Sequence, residues 1–268
     1  MYLSVLIHFV MSLIAFGLAK RFIGVVGRLK SRHFVQSQAL HSQSPLKEAT
    51  TLFSEWAMDG RDKKMAEGHE LAVTEMLREA EHYLPSKPFS FLDLGTGNGW
   101  VARKMSGHPR CASSLGVDGA HQMVTNAIKM EETEQTGASF IQSNLNDFQP
   151  KQAVDVIFSM EVLYYLNEDE VKQLFKNVSK WLAPDGLFVW GIDHFEENKG
   201  CHDWSSINGV HMLLWTESQW REAMNEAGLS IVKCWRAANR PEMLDMPGAS
   251  ECYEGSAGTL AFIVKNKK

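Results

Sequence analysis

Three alternating glycines and one downstream acid are the residues whose spacing most clearly indicates a ligand site. Gly95, Gly97 and Gly99 directly follow the short apolar and aromatic run Phe89–Leu94. Because glycine has no Cβ and tolerates a positive φ, such a segment can turn sharply and bring its backbone against a ligand. Asp118 follows about 20 residues later, where an acid in a nucleotide-binding sheet accepts hydrogen bonds from ribose hydroxyls. The pattern predicts a site for a nucleoside-containing ligand.

The elements that must position these residues alternate between short apolar runs and helical patterns. Apolar residues recur at three- and four-residue steps in Lys63–Leu84, Asn167–Leu182 and Thr216–Ala227, which is typical of amphipathic helices. In the last two segments the first residue and the residue three positions later could form a capping box. The predicted strands are Phe89–Leu94, Ser114–Val117, Ser139–Ile141, Val154–Ser159, Leu187–Ile192, Leu229–Trp235 and Thr259–Val264. This alternation predicts a doubly wound α/β sheet of seven strands, with helices on both faces and an antiparallel end.

Over roughly residues 89–264 the sequence resembles the class I methyltransferases that use S-adenosylmethionine (SAM). Their first motif is an acid followed by three alternating glycines, which Asp93 and the glycines at 95, 97 and 99 match. A dinucleotide fingerprint instead spaces its glycines G-x-G-x-x-G. Val154–Leu166 resembles the family's fourth strand with its loop, and Trp181–Gly186 resembles the turn before the fifth strand. The resemblance implies a Rossmann-like fold with SAM as the cofactor.

The resemblance also assigns roles around SAM. The glycine loop would pack against the methionine moiety, Asp118 would bind the ribose, and Asn144 would contact adenine where the family usually has Asp. An Asn can still accept a hydrogen bond from the adenine amino group through its side-chain oxygen. Arg61, ahead of the first strand, could bind the methionine carboxylate. The expected cofactor-binding residues are Asp93, Gly95, Thr96, Gly97, Gly99, Asp118, Gly119, Asn144, Leu145, Met160 and Arg61.

The methyl acceptor is expected beyond the fourth and fifth strands, because ligands of open α/β sheets bind at the carboxyl ends of the strands. His194 is the candidate general base, since histidine titrates near neutral pH, and Tyr165 is the candidate hydrogen-bond partner that orients the acceptor. A base is optional, because the sulfonium already activates the methyl group for in-line displacement. In relatives the segment before the first strand often folds over the pocket, so Trp56 or His69 could close the acceptor site.

Charge and motif content narrow the class of acceptor. The net charge is -5, and the family's adenine N-methyltransferase signature, Asn or Asp-Pro-Pro-aromatic, is absent after the fourth strand, so nucleic acid is disfavoured. The four cysteines are scattered and form no C-x-x-C pair, so neither a metal site nor a disulfide framework is indicated. We therefore expect a methyltransferase that acts on a small molecule. The alternatives are a binding or scaffold protein on a catalytically inactive methyltransferase fold and an NAD-dependent oxidoreductase, which the glycine spacing disfavours.

Residues 1–19 form a nearly unbroken apolar run, close to the roughly 20 residues that cross a bilayer as a helix. Six basic and no acidic residues precede Glu48, and all the basic residues follow the run. This order favours an uncleaved membrane anchor with the body in the cytoplasm. Such an anchor would suit a lipophilic acceptor. The alternatives are a mitochondrial or other transit sequence and a mispredicted start codon. The expected organisation is a hydrophobic segment 1–22, a basic linker 23–50 and a methyltransferase domain 51–268, with the oligomeric state left open.

A fluorescent reporter fused to residues 1–45 tests the anchor. We expect the fusion to sediment with membranes after cell lysis, because the apolar run would be inserted in the bilayer. A fully soluble reporter of unchanged mass would contradict the anchor, and a shortened reporter inside mitochondria would favour the transit sequence.

Overall fold

The glycine-rich loop follows an interior strand of a seven-stranded mixed sheet. The protein is described by a computed structural model that covers residues 47–238 and 258–267. The strands are β1 (Phe89–Leu94), β2 (Cys111–Asp118), β3 (Ser139–Gln142), β4 (Val154–Met160), β5 (Leu182–Ile192), β6 (Leu229–Ala237) and β7 (Thr259–Asn266). They are ordered β3-β2-β1-β4-β5-β7-β6. The first five strands pair in parallel, and β7 pairs antiparallel with both β5 and β6.

Helices follow β1, β2 and β4 and also precede the sheet. They are α1 (Ala49–Met58), α2 (Arg61–Glu81), α3 (Trp100–Ser106), α4 (His121–Glu134), α5 (Glu168–Trp181), α6 (Trp204–Asn208) and α7 (Glu217–Glu226). Short 3-10 turns lie at Leu163–Tyr165 and Lys199–Cys201. The doubly wound α/β architecture that the sequence predicts is confirmed.

The capping boxes at two helix starts are confirmed as well. Asn167 accepts a hydrogen bond from the backbone N–H of Glu170, whose side chain bonds back to Asn167, and Thr216 and Gln219 do the same for α7. The turn expected at Pro184–Gly186 is instead part of β5, which begins at Leu182. The pairing with β4 shifts register there, and Asp185 takes a φ of 63°, so the strand carries an irregularity where a separate turn was predicted.

An aromatic core fixes the antiparallel end of the sheet. Trp190 on β5 stacks on Phe262 of β7, with 4.6 Å between ring centroids, and packs against Trp220 of α7 at 5.4 Å. All three side chains are fully buried. Burial of a large apolar side chain contributes about 1.5–3 kcal/mol, so this cluster anchors α7 and β7 against the parallel strands.

The first two helices are held over the carboxyl ends of the strands. Ala57 packs with Ala120 and Met123 in a small apolar cluster, and the side-chain amide of Asn126 donates to the carbonyl oxygen of Ala57 over 3.2 Å. Phe53 meets the ring of Tyr165 edge to face, with 4.9 Å between centroids. These contacts place α1 and α2 across the edge where the glycine loop lies.

The expected membrane anchor and basic linker lie in residues 1–46, outside the described part of the chain, apart from the linker's last residues 47–50. Within 47–238 and 258–267, no helix is long and apolar enough to span a membrane. The anchor therefore stays a prediction.

Candidate active site

A cavity of about 400 Å³ lies at the carboxyl ends of β1, β2, β3 and β4, beneath α1 and α2. Its walls include residues from each of the loops that follow these strands. The volume falls in the range of small-molecule sites, which is about 300–1,000 Å³. The edge of the sheet that the sequence predicts as the ligand site is therefore the edge that carries a cavity.

The glycines of the loop serve different purposes. Gly95 has a φ of 72°, and a Cβ there would lie 2.2 Å from a methyl carbon of Val162. Gly97 has a φ of 55°, and a Cβ there would have one described atom within 4 Å, Met123 Sδ at 4.0 Å, so this residue faces open space in the cavity. Gly97 thus leaves room for a ligand, whereas Gly95 leaves room for a neighbouring loop.

Gly99 does not line the cavity, contrary to its expected place among the cofactor-binding residues. It is the N-cap of α3, with a φ of 80°. A Cβ there would lie 2.4 Å from a ring carbon of Phe140 on β3. The third glycine of the motif is therefore explained by close packing of the helix start against the sheet.

Asp118 is at the end of β2, on the cavity wall, and is tied to the glycine loop. Its Oδ2 accepts a hydrogen bond from the backbone N–H of Gly97 over 2.8 Å, and its Oδ1 accepts one from Ala120 over 2.8 Å. Burial raises the pKa of the carboxyl, against the effect of these two bonds. Each carboxylate oxygen has a further lone pair, so the group can also accept from ribose hydroxyls.

Asp93 and Thr96 form a second polar pair in the wall. Thr96 Oγ1 donates to Asp93 Oδ2 over 2.6 Å. Burial raises the pKa of Asp93 to about 7, the nearby charge of Asp118 adds to the rise, and the Thr96 bond opposes it. Asp93 therefore changes protonation near neutral pH.

Four further expected cofactor residues, Gly119, Asn144, Leu145 and Met160, line the same cavity. Asn144 donates through Nδ2 to Asp147 over 3.3 Å, which leaves its oxygen as the acceptor for a ligand. A Cβ at Gly119 would lie 3.4 Å from that oxygen and 2.7 Å from a carbon of Thr50. The region expected to hold adenine is thus close-packed on one side and polar on the other.

Arg61, which was expected to bind the methionine carboxylate, points away from the cavity. It is exposed, its guanidinium lies over the ring of Trp56 at 5.7 Å from the centroid, and it does not line the cavity. The next residue, Asp62, lines the cavity instead. Successive helix residues point about 100° apart, so the sequence indicated the correct segment but not the side of the helix.

His194, the candidate general base, also lies away from the cavity. It is 1% exposed, does not line the cavity, and lies between the rings of Tyr164 and Trp204, at centroid distances of 5.1 and 5.9 Å. Burial lowers the pKa of its imidazole to about 4. A neutral imidazole can accept a proton, but this one is separated from the cavity by packed rings. The placement gives it no contact with an acceptor.

Tyr165, the other residue expected at the acceptor, does line the cavity. Its Oη lies 3.4 Å from that of Tyr164. Burial raises the pKa of the Tyr165 phenol above its usual value. The hydroxyl therefore stays protonated at neutral pH and can donate a hydrogen bond to a ligand.

Glu161 lines the cavity and is a residue that the sequence reasoning did not single out. Its φ is 58°, and its carboxylate accepts hydrogen bonds from Tyr164 Oη over 2.8 Å and from the backbone N–H of Asp193. Burial and the charge of Asp193 raise its pKa well above the usual range. It joins the loop after β4 to the end of β5. The one signal in the sequence is that it is the single acid in the loop after the fourth strand.

His69 of α2 also lines the cavity, as expected of a residue that could close the acceptor site. Burial lowers the pKa of its imidazole, and the charge of Asp193 opposes that change. Trp56 does not line the cavity; it packs against Phe53 at 5.5 Å between centroids. Of the two residues proposed to close the site, the structure brings only His69 to it.

Most of the ionisable groups in the cavity wall are acids. Among the residues of the described chain that line it, there is no lysine and no arginine. The carboxylates in the lining are Glu48, Asp62, Asp93, Asp118, Asp147, Glu161 and Glu170. Such walls favour a cationic or neutral ligand and repel phosphates.

Comparisons of the chain with known proteins find similarity to methyltransferases. Residues 91–186 match a family described as a methyltransferase domain. A putative methyltransferase of Geobacillus sp. is 29% identical over 103 residues, which is 38% of this chain and 41% of that protein. The chain spans half or less of the length of the curated relatives it matches, at 41% and 50%.

Solved structures share the fold over a larger part of the chain. A putative methyltransferase of Haloferax volcanii, in complex with the activator Trm112, has a TM-score of 0.69 and 26% identity, covering 81% of this chain and 98% of its own. The N-methyltransferase NodS of Bradyrhizobium japonicum, bound to S-adenosyl-L-homocysteine, has a TM-score of 0.54 and 20% identity, covering 73% and 85%. The resemblance to the class I SAM-dependent methyltransferases is confirmed. The chain therefore shares the fold of proteins that bind SAM or its product, and SAM is the cofactor that the resemblance implies. Its residues fit that cofactor, since Gly97 opens onto the cavity and the carboxylate walls suit a sulfonium.

The raised pKa of Asp93 predicts how the stability of this methyltransferase fold depends on pH without ligand. A carboxyl whose pKa rises from 3.8 to about 7 on folding favours the folded state at low pH, and this contribution is lost as pH rises through that window. Asp93→Asn removes the titration, and its amide oxygen can still accept from Thr96. Between about pH 5 and about pH 8, the free energy of unfolding should fall more in the wild type than in the variant, by up to about 3 kcal/mol.

Urea unfolding of both proteins at the two pH values measures this difference. The other buried acids are the same in both proteins, so the comparison isolates Asp93. An equal change in the two proteins would show that the carboxyl of Asp93 titrates outside this window.

Proposed function

We propose that this protein transfers the methyl group of SAM to a small-molecule acceptor bound in the cavity beside the end of β4. The observation that carries the proposal is the hydrogen bond between Gly97 N and Asp118 Oδ2 at the wall of that cavity. This bond links the glycine loop, which would contact the amino acid part of the cofactor, to Asp118, which would bind its ribose. The same cavity reaches Tyr165, so cofactor and acceptor can share one space.

Each part of SAM has a counterpart in the lining. The backbone at Gly97 would approach the methionine moiety, Asp118 would accept from the ribose hydroxyls, and the side-chain oxygen of Asn144 would accept from the adenine amino group. Leu145 and Met160 would supply apolar contacts. Bound SAM supplies a methyl group that its sulfonium has already activated for displacement.

The chain's contribution to the reaction is alignment and exclusion of water. Tyr165 Oη would donate a hydrogen bond that orients the acceptor, and α1 and α2 would cover the reacting atoms. His69 also lines the cavity, and burial lowers the pKa of its imidazole, so it would be the group that accepts a proton if the acceptor carries one.

The acceptor proposed is a small, neutral or cationic molecule. A cavity of about 400 Å³ with carboxylate walls excludes a nucleic acid phosphate backbone on both size and charge. We retain the proposal that residues 1–19 attach the protein to a membrane with its domain in the cytoplasm, which would bring lipophilic acceptors within reach. The runner-up is a catalytically inactive fold that binds ligand without transferring a methyl group.

Calorimetry with SAM and NAD tests cofactor choice. We expect SAM to bind with micromolar or better affinity and NAD not to bind, because the glycine spacing and the acidic walls suit a sulfonium and disfavour two phosphates. Asp118→Ala should weaken SAM binding about 10- to 100-fold, since it removes hydrogen bonds to a charged group, worth about 1.5–3 kcal/mol. Asp59→Ala, at an exposed position between α1 and α2, is the control and should bind SAM normally.

Undiminished binding of SAM by Asp118→Ala would contradict the mapped site. Methyl transfer itself is tested by incubating the wild type and Gly97→Arg with metabolite extracts and methyl-labelled SAM. Labelled small molecules should form with the wild type alone, because the arginine would be strained at a positive φ and would fill the cavity. SAM binding without any labelled product would favour the inactive fold.

A further inference from the structure

Asp62, in the first turn of α2, is a buried acid that lines the cavity with one oxygen unpaired. The residue is 4% exposed. Its Oδ2 accepts hydrogen bonds from the side-chain amides of Asn98, over 3.3 Å, and Asn126, over 3.4 Å. Its Oδ1 is buried and has no hydrogen-bond partner among the described residues. The two amides hold Oδ2, and Oδ1 is left without a hydrogen-bond partner in a residue that lines the cavity.

An unpaired buried carboxylate oxygen is unfavourable. Leaving a buried polar group unsatisfied costs about 1–3 kcal/mol, and more for a charged group. The described cavity lining offers no lysine or arginine to compensate it. A site that keeps such an oxygen next to a cavity is therefore suited to a ligand that brings a hydrogen-bond donor, preferably a cationic one.

The position of Asp62 selects which part of the cofactor would supply that donor. Asn98, which holds Oδ2, is part of the glycine loop, and the loop is where the methionine moiety of SAM would lie. That moiety carries an α-carboxylate, which Asp62 would repel, and an α-ammonium, which has three N–H donors and no acceptor. The sulfonium is cationic but has no N–H or O–H to donate.

We propose that Asp62 Oδ1 accepts a hydrogen bond from the α-ammonium group of the methionine moiety of SAM. This inference rests on the proposed function, because it assumes that SAM occupies the cavity. Asp62 contacts the loop through Asn98 and α4 through Asn126, so the bound ammonium would add a further contact where these three elements meet. Arg61 was expected to bind the α-carboxylate of the methionine moiety. Its neighbour Asp62 would bind the α-ammonium of that moiety.

The test compares ligands that differ only in the amino acid part. S-adenosylhomocysteine, desamino-S-adenosylhomocysteine and methylthioadenosine are titrated into the full-length protein by calorimetry. The wild type should bind S-adenosylhomocysteine about 10- to 100-fold more tightly than the desamino compound, as expected for one hydrogen bond between charged groups. Asp62→Asn keeps an oxygen for the two amides but places an NH₂ group where Oδ1 was.

In Asp62→Asn the affinity for S-adenosylhomocysteine should fall about 10- to 100-fold, and the discrimination against the desamino compound should disappear. Binding of methylthioadenosine should stay within about twofold of the wild type, which also shows that the variant is folded. Asp59→Asn, the exposed neighbouring acid, should behave as the wild type with all three ligands.

Two results would overturn the role of Asp62. One is an unchanged affinity of Asp62→Asn for S-adenosylhomocysteine, and the other is an equal loss for methylthioadenosine, which would assign Asp62 to structure alone. Should Asp62→Asn not fold, equal binding of the desamino compound and S-adenosylhomocysteine by the wild type would also overturn it. A wild type that binds none of the three ligands contradicts the proposed function instead.

Discussion

The pairing of β1 with β2 on one side and with β4 on the other is the constraint on which the site depends. Asp93 of β1 lies level with Gly116 of β2 and Phe158 of β4. Because the three strands are parallel, their carboxyl ends meet at one edge, and the loops that follow them face the same space. The chain then turns off β1 at once, since the backbone N–H groups of Gly95 and Thr96 both donate to the carbonyl oxygen of Val117 at the end of β2, over 2.8 and 3.0 Å. The glycine loop and Asp118 are adjacent for that reason.

Electrostatics give this space its selectivity. Carboxylates dominate the described lining, and burial raises the pKa of Asp93, Asp118 and Glu161. Like charges confined in one cavity are unfavourable without a ligand, and a cationic cofactor would relieve them. A cationic ligand would therefore stabilise the folded site.

Much of the fold follows from local sequence signals. All seven strands and both capping boxes depend on residues close together in the chain, and so do the glycine loop and Asp118. The missed elements depend on tertiary contacts. The helix α1 is short and is stabilised where Ala57 packs on Ala120 and Met123, and these partners are more than 60 residues away.

The residues of the candidate site also divide into those that local sequence indicates and those whose placement depends on tertiary packing. Asn144, Leu145 and Tyr165 follow predicted strands and reach the cavity, whereas Arg61 and His194 do not. The orientation of Arg61 depends on the rotation of α2 about its axis, which the packing of Val73, Met76 and Ala80 against the sheet determines. His194 lies where the chain leaves β5 and turns into the interior beside Trp204, and local composition cannot distinguish that course from an exposed loop.

A crystal structure with S-adenosylhomocysteine would show whether this cavity binds the cofactor with its ribose on Asp118. We expect the ribose hydroxyls within hydrogen-bond distance of Asp118, the adenine beside Asn144, and the sulfur directed towards Tyr165. An adenosine bound away from the end of β2, or a cavity that stays empty at saturating ligand, would contradict the account.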